Sequence, residues 1–362
     1  MTRGLHADYG AEFETRGGHS VVAHYGRPER AHLAVRNGVG IIEMGYGVVA
    51  VEGGDAVDYV DNAVSNRVPD ADGEGCYALL LDPQGGIETD LYVYNAGERL
   101  LCFTPPARAA PLADEWSDKV FIEDVSIRDA TDDFAVFGVH GPTATETLST
   151  VLAGATVPEH PLRFVRGSVA GAGVTAISTD DPTGETGYEV VCAADDAESV
   201  LDSLLTRGTP TTPAGYRTWE TLTLEAGTPL FETELDDRIP NVAGLRNALD
   251  FDKGCYVGQE VVSRVENRGR PSKQLVGLAP EAVPDGGAAV FSGDSAVGEV
   301  TRGIHSPSLD RPIALAYVGS DTLNADDPPT LTVRVDGTAV DATLVDLPFV
   351  DGSGRSARLP GY

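Results

Sequence analysis

Two hydrophobic rhythms divide this chain near Lys273, and that change constrains the fold more than any other feature. Beyond it, short β-branched runs at 297–301, 313–318, 330–335 and 339–345 are split by Gly, Pro and Asp, with no stretch of helical spacing. Strands recurring at that interval without helices build a small antiparallel barrel or sandwich, because only other strands can cover their apolar faces. Before it, strand-like and helical runs alternate, which marks mixed α/β packing. Residues 48–51 read as strand and 55–64 as helix. Residues 77–81 and 91–94 read as two strands joined through Asp82-Pro83-Gln84-Gly85-Gly86, a strong turn signal. A proline break at Pro105-Pro106 and Pro111 precedes a short helix near Trp116. A second mixed stretch follows, with strands at 134–139, 169–178 and 188–192. Its helices fall at 143–152, 197–205 and 217–225, the last stopped by Gly227 and Pro229.

A chain of 362 residues is long enough for two or three compact units. The rhythms predict an α+β protein with a loosely attached polar arm at 1–28 and a mixed α/β region at 29–272. That region falls into subdomains of about 29–125 and 126–272, and the β-only unit spans 273–362. No apolar stretch approaches a bilayer span and the first residues lack a basic-then-apolar pattern, so we expect a cytoplasmic protein with no membrane partner. Fifty-six acidic residues against 26 basic ones give a formal charge of −30, and only Lys119, Lys253 and Lys273 are lysines. Such self-repulsion is relieved by concentrated salt, which points to a halophilic source. It also argues against a broad nucleic-acid face. Cys76, Cys102, Cys192 and Cys255 lie far apart with no CxxC spacing, so neither a zinc site nor a disulfide framework is written here. The chain has no Walker, GxSxG, HExxH or EF-hand pattern, the dinucleotide fingerprint fails after Gly38-Val39-Gly40, and no metal set emerges.

One octapeptide stands out. Lys253-Gly254-Cys255-Tyr256-Val257-Gly258-Gln259-Glu260, followed by Arg264 and Arg268-Gly269-Arg270, resembles the signature of the YgfZ-type folate-binding proteins. These are a branch of the glycine-cleavage T-protein (aminomethyltransferase) superfamily. Leu224-Glu225-Ala226-Gly227 resembles that superfamily's LEAG block, Thr183 to Glu189 its TGExGxE block, and Gly85 to Leu91 its GGxxDD-L block. The likeness runs over roughly residues 31–345. It implies an aminomethyltransferase-like fold, with the two α/β subdomains around a central cavity for tetrahydrofolate and an antiparallel β-barrel after them.

The resemblance also assigns roles. A pterin presents an amide and an exocyclic amine on one edge, and a carboxylate accepting both N–H groups is its natural partner. The last Glu of TGExGxE plays that part, here Glu189. Asp90 matches the acid placed near the reactive folate nitrogen, where a carboxylate stabilises developing positive charge or relays a proton. Tyr77 and Tyr94 fall where tyrosines flank the folate, and Lys253 and Gln259 of the octapeptide join the folate-binding set. Cys255 is the candidate functional thiol. It sits in a Gly-flanked segment near Lys253 and Arg264, cations that favour a nucleophilic sulfur.

The sequence departs from the transferases at three places. Thr89 replaces the first acid of the doublet, Trp219 (with Arg217 nearby) stands where they carry an Arg ahead of LEAG, and Glu43-Met44-Gly45-Tyr46 replaces an Asp-Val-Ser-His stretch. The resemblance therefore implies first a folate-binding protein supporting iron–sulfur cluster assembly or repair, with client or assembly proteins as partners. The alternatives are a folate-dependent aminomethyltransferase or related demethylase, and a non-catalytic module with a vestigial cavity.

Overall fold

In the computed structural model, which describes residues 2–207, 209–325 and 330–362, two sheets face one another across a shared core. The first sheet has five strands, in the order Glu74–Leu81, Ile87–Asn95, Arg99–Thr104, Gly47–Glu52 and Ser126–Asp129. The second has six, in the order Phe164–Val169, Ala172–Ser178, Gly187–Ala193, Phe134–His140, Gly40–Met44 and Thr212–Pro213. Successive side chains of a strand point to opposite faces, and the sequence exploits this on both sheets. Tyr77, Leu79, Tyr92, Tyr94 and Phe103 turn inward to meet Ile42, Val136, Ile177 and Val191. Their neighbours Cys76, Ala78, Leu91, Val93 and Cys102 turn outward, under the helices Ala56–Ala63 and Ala109–Asp118. The outer face of the second sheet lies under the helices Ala144–Val151 and Ala197–Thr206.

The strands cross the expected subdomain boundary. Gly40–Met44 pairs with Phe134–His140 in the second sheet, while Ser126–Asp129 pairs with Gly47–Glu52 in the first. The run at 169–178 is two strands and not one, because Ala170 (φ 54°) and Gly171 (φ 88°) form a tight turn between Phe164–Val169 and Ala172–Ser178. Two left-handed residues suit the twist of a hairpin, and Ala at the first of them hid the turn from sequence patterning.

Residues 2–24 are not a loose arm. The helix Arg3–Asp8 and the hairpin Glu12–Arg16/His19–His24 are docked, with Val21, Val22 and Ala23 buried. His6, only 2% exposed, pairs with Glu43 of the second sheet and lies 2.5 Å from the Tyr25 hydroxyl. That polar anchor carries no apolar period.

The unit after Lys273 is a closed antiparallel barrel, in the order Lys273–Pro280, Arg311–Gly319, Ser295–Ser306, Ala289–Ser292, Leu331–Val335 and Thr338–Val345. Closure leaves no unpaired edge, which a small isolated sheet could not achieve. Leu275, Ile313, Leu315 and Tyr317 pack the barrel against Leu224 of the helix Tyr216–Glu225. Residues 346–362 then leave the barrel and return to the sheets. Phe349 and Val350 donate backbone hydrogen bonds to the Glu225 carbonyl, Gly354 to Gly184, and Ala357 to Asp180.

Candidate functional site

The strand Ile87–Asn95 supplies the first wall of the site. Its period of two puts Asp90, Tyr92 and Tyr94 on the inner face in a row. Tyr77, across the hairpin, donates its hydroxyl to Asp90 Oδ2 at 2.9 Å. Tyr92 donates to Asp180 Oδ1 at 2.7 Å, tying the first sheet to the segment that follows Ala172–Ser178. Tyr92 stacks on Tyr94, with centroids 6.2 Å apart and planes at 14°. Thr89 points the other way and bonds Thr104, so it is no substitute for an acid in the cleft.

The returning tail completes the cluster. Arg358, 5% exposed, lays its guanidinium 5.0 Å from the Tyr77 ring centre and 5.7 Å from that of Tyr92. Its Nε lies 3.2 Å from Asp180 Oδ2, and a terminal nitrogen lies 3.8 Å from Asp90 Oδ2. The Nε–H is not aimed at Asp180 closely enough to make a hydrogen bond, so that pair is held by charge alone. Burial pushes the Asp90 carboxyl above its ordinary range, against the opposing pull of Arg358 and the Tyr77 hydroxyl. A carboxyl shifted in that direction holds its proton more readily than one in water.

Glu189 faces this wall from the strand Gly187–Ala193 and is 4% exposed. The Tyr46 hydroxyl donates to its Oε1 at 2.7 Å. Among the described residues nothing donates to Oε2. Burial raises the Glu189 carboxyl from 4.5 to about 7, partly offset by the Tyr46 hydrogen bond. Met44, Tyr46, Asp90, Tyr92, Trp219 and Arg358 line the open cleft between the sheets. Trp219 packs edge-on to His140, whose two buried ring nitrogens have no partner among the described residues and whose pKa burial lowers to about 3.

The expected residues separate into two places. Asp90 lines the cleft and Tyr77 bonds it from beneath Arg358, Glu189 meets the cleft wall through the Tyr46 hydroxyl, and Tyr94 lies beyond Tyr92, where it lines a second cavity with Phe164 and Val191. Among the described residues, Lys253, Gln259 and Cys255 neither line the cleft nor bond through their side chains to a residue that does. The Lys253 ammonium is buried on the carbonyls of Asp61, Val64 and Asn66 and pairs with the Asp61 carboxylate at 3.2 Å. It is a clamp between segments and does not line the cleft. Arg264 is engaged by Glu260, so neither cation is free to serve Cys255. Gln259 opens the helix Gln259–Arg268. Gly258 (φ 80°) brings that loop against the Asp82–Gly86 turn, where a Cβ would meet the Asp82 carbonyl at 2.7 Å. Cys255 is exposed, whereas Cys76, Cys102 and Cys192 are buried.

Sequence reasoning missed Tyr46, Tyr92, Asp180 and Arg358. Tyr92 was findable, lying two residues from both Asp90 and Tyr94 on one strand face. Asp180 lies just ahead of the TGExGxE block, and nothing local marks Arg358.

Comparison with known proteins agrees with this architecture. Residues 3–253 match the GCVT N-terminal domain, and residues 273–351 match the glycine cleavage T-protein C-terminal barrel domain. An aminomethyltransferase of Saccharopolyspora erythraea is 32% identical over 355 residues, covering 95% of this chain and 96% of that one. One from Cutibacterium acnes is 34% identical over 363 residues, with coverage of 95% and 96%. Neither is named as a YgfZ-type protein. In fold, the chain superposes on the glycine cleavage system aminomethyltransferase T of Bartonella henselae with a TM-score of 0.85, covering 98% of this chain and 97% of that one at 24% identity. No helix among the described residues is long and apolar enough to cross a membrane.

Proposed function

Because the chain belongs to the glycine-cleavage T-protein family, we propose that it binds tetrahydrofolate in the cleft between the sheets and acts as an aminomethyltransferase-type one-carbon protein. The observation that carries this reading is Glu189, a buried carboxylate with one oxygen still open to a donor. The donor set fits the group, because a pterin edge offers two adjacent N–H groups and Glu189 offers two acceptor oxygens. A bound reduced folate would supply the ring nitrogen that takes up the one-carbon unit. Glu189 orients the ring, and Asp90 holds or moves a proton at Oδ2, where the Tyr77 hydroxyl steadies it. Arg358 keeps Asp90 and Asp180 apart from one another's charge.

Titration with tetrahydrofolate tests this. Glu189→Gln is expected to weaken binding roughly 100-fold, because an amide N–H then faces the ligand's donors. Binding to wild type should also weaken as pH falls below about 7, since the free protein then protonates the acceptor. The same substitution should raise stability at pH 8 by about 3 kcal/mol but not at pH 4, because the native carboxyl keeps a proton up to about 7 that the unfolded chain loses near 4.5. A wild-type chain that binds no reduced folate at any pH ends the proposal.

A second reading, support of iron–sulfur cluster assembly or repair, draws on the exposure of Cys255. It predicts that Cys255→Ala lowers iron–sulfur enzyme activity in cells while leaving folate affinity intact. An unchanged cellular activity would remove it.

A further inference from the structure

We infer that Tyr46 is a specificity-determining residue of the cleft, its hydroxyl holding Glu189 in the place of a ligand's donor edge. Only a ligand able to give that carboxylate two hydrogen bonds then displaces it. This rests on the folate reading and adds to it what the cleft selects for.

Four observations carry the inference. The Tyr46 hydroxyl bonds Glu189 Oε1 at 2.7 Å, while Oε2 receives nothing among the described residues. The Tyr46 side chain is half-buried and forms part of the cleft surface, so a rotated ring has open space to enter. Its ring meets Phe103 edge-on at 5.8 Å and makes no other aromatic contact among the described residues. Its backbone, by contrast, is pinned on both sides. The Gly45 N–H donates to the Tyr216 hydroxyl at 2.7 Å, and Gly47 pairs with Thr104, where a Cβ would press the Ala109 side chain at 2.7 Å. Motion at this position is therefore confined to the side chain.

Exchange arithmetic turns this geometry into selectivity. A ligand with one donor trades the tyrosine hydrogen bond for its own and gains nothing net. A pterin edge replaces that bond and adds a second at Oε2, a gain of about tenfold or more in affinity for a charged acceptor. Tyr46 thus sets a threshold that a single hydroxyl or amine does not cross.

The test compares wild type and Tyr46→Phe by calorimetric titration at pH 8.5 without oxygen. The ligands are tetrahydrofolate and p-aminobenzoylglutamate, which shares its tail but lacks the pterin. Tyr46→Phe should bind tetrahydrofolate about tenfold more tightly, because Glu189 no longer has a partner to lose. Affinity for p-aminobenzoylglutamate should not change. Both proteins binding tetrahydrofolate with equal strength, weaker binding by Tyr46→Phe, or equal tightening toward both ligands would each overturn the role of Tyr46 while leaving the folate reading standing. Binding by neither protein overturns both.

Discussion

Arg358→Leu is expected to lower folding stability by about 3–5 kcal/mol and to abolish folate binding, because it leaves two carboxylates buried without their cation. Asp180 and Asp90 lie 3.2 and 3.8 Å from the guanidinium, and no other Arg or Lys pairs with either among the described residues. The stacking on Tyr77 and Tyr92 is lost as well. Lysine does not replace it, since an ammonium cannot span two carboxylates and two rings at once. Denaturant unfolding measures the cost. The diagnostic result is recovery, in that Asp180→Asn added to Arg358→Leu should regain part of the lost stability by removing an orphaned charge. Loss of under about 1 kcal/mol, the ordinary worth of an exposed pair, would mean that the tail is not part of the core.

The second large effect centres on Glu225, the acid of the LEAG block. It is fully buried and gathers groups from two distant parts of the chain. His32 Nε2 lies 2.8 Å from Oε2, Arg36 donates to Oε2 at 2.9 Å, and Ser306 and Ser308 of the barrel donate to Oε1 and Oε2. Burial would raise this carboxyl, but the bonds from His32, Ser306 and Arg36 outweigh it and hold it down at about 2. A carboxyl depressed from 4.5 to about 2 contributes about 3 kcal/mol, present in full above pH 4.5 and lost as pH falls toward 2. Glu225→Gln should therefore cost about 3–5 kcal/mol near neutrality, with Arg36 left half-partnered in the interior. Its stability should also vary less with pH between 4.5 and 2 than that of wild type. Because the same residue's carbonyl receives Phe349 and Val350, the substitution should loosen the tail that carries Arg358, and folate affinity should fall with it.

Much of the framework was legible. The period-two runs and the turn at Asp82–Gly86 correctly placed the hairpin carrying Asp90, and the strand-rich end of the chain is the closed barrel that was expected, interrupted by one short helix at Ser320–Leu323. Glu189 and Asp90 were named from motif blocks; Asp90 lines the cleft, and Glu189 is joined to the cleft wall through the Tyr46 hydroxyl. The octapeptide misled in one respect. It is distinctive enough to suggest a binding role for Lys253 and Gln259, yet the Lys253 ammonium serves three carbonyls. A lysine's destination depends on which carbonyls the folded chain leaves unpaired around it, and sequence spacing does not contain that information.

By itself the sequence determined the hairpin that carries Asp90 and the change from mixed α/β packing to strands near Lys273. Period, turn chemistry and β-branching act over a few residues and are written where they act. Only the tertiary structure decided the site's electrostatics. Tyr46 reaches Glu189, and Arg358 reaches Asp90 and Asp180, across separations in sequence that no local rule spans. Charges buried together must find partners wherever the closed barrel and the returning tail deliver them, and the cost of leaving them unpaired fixes that arrangement.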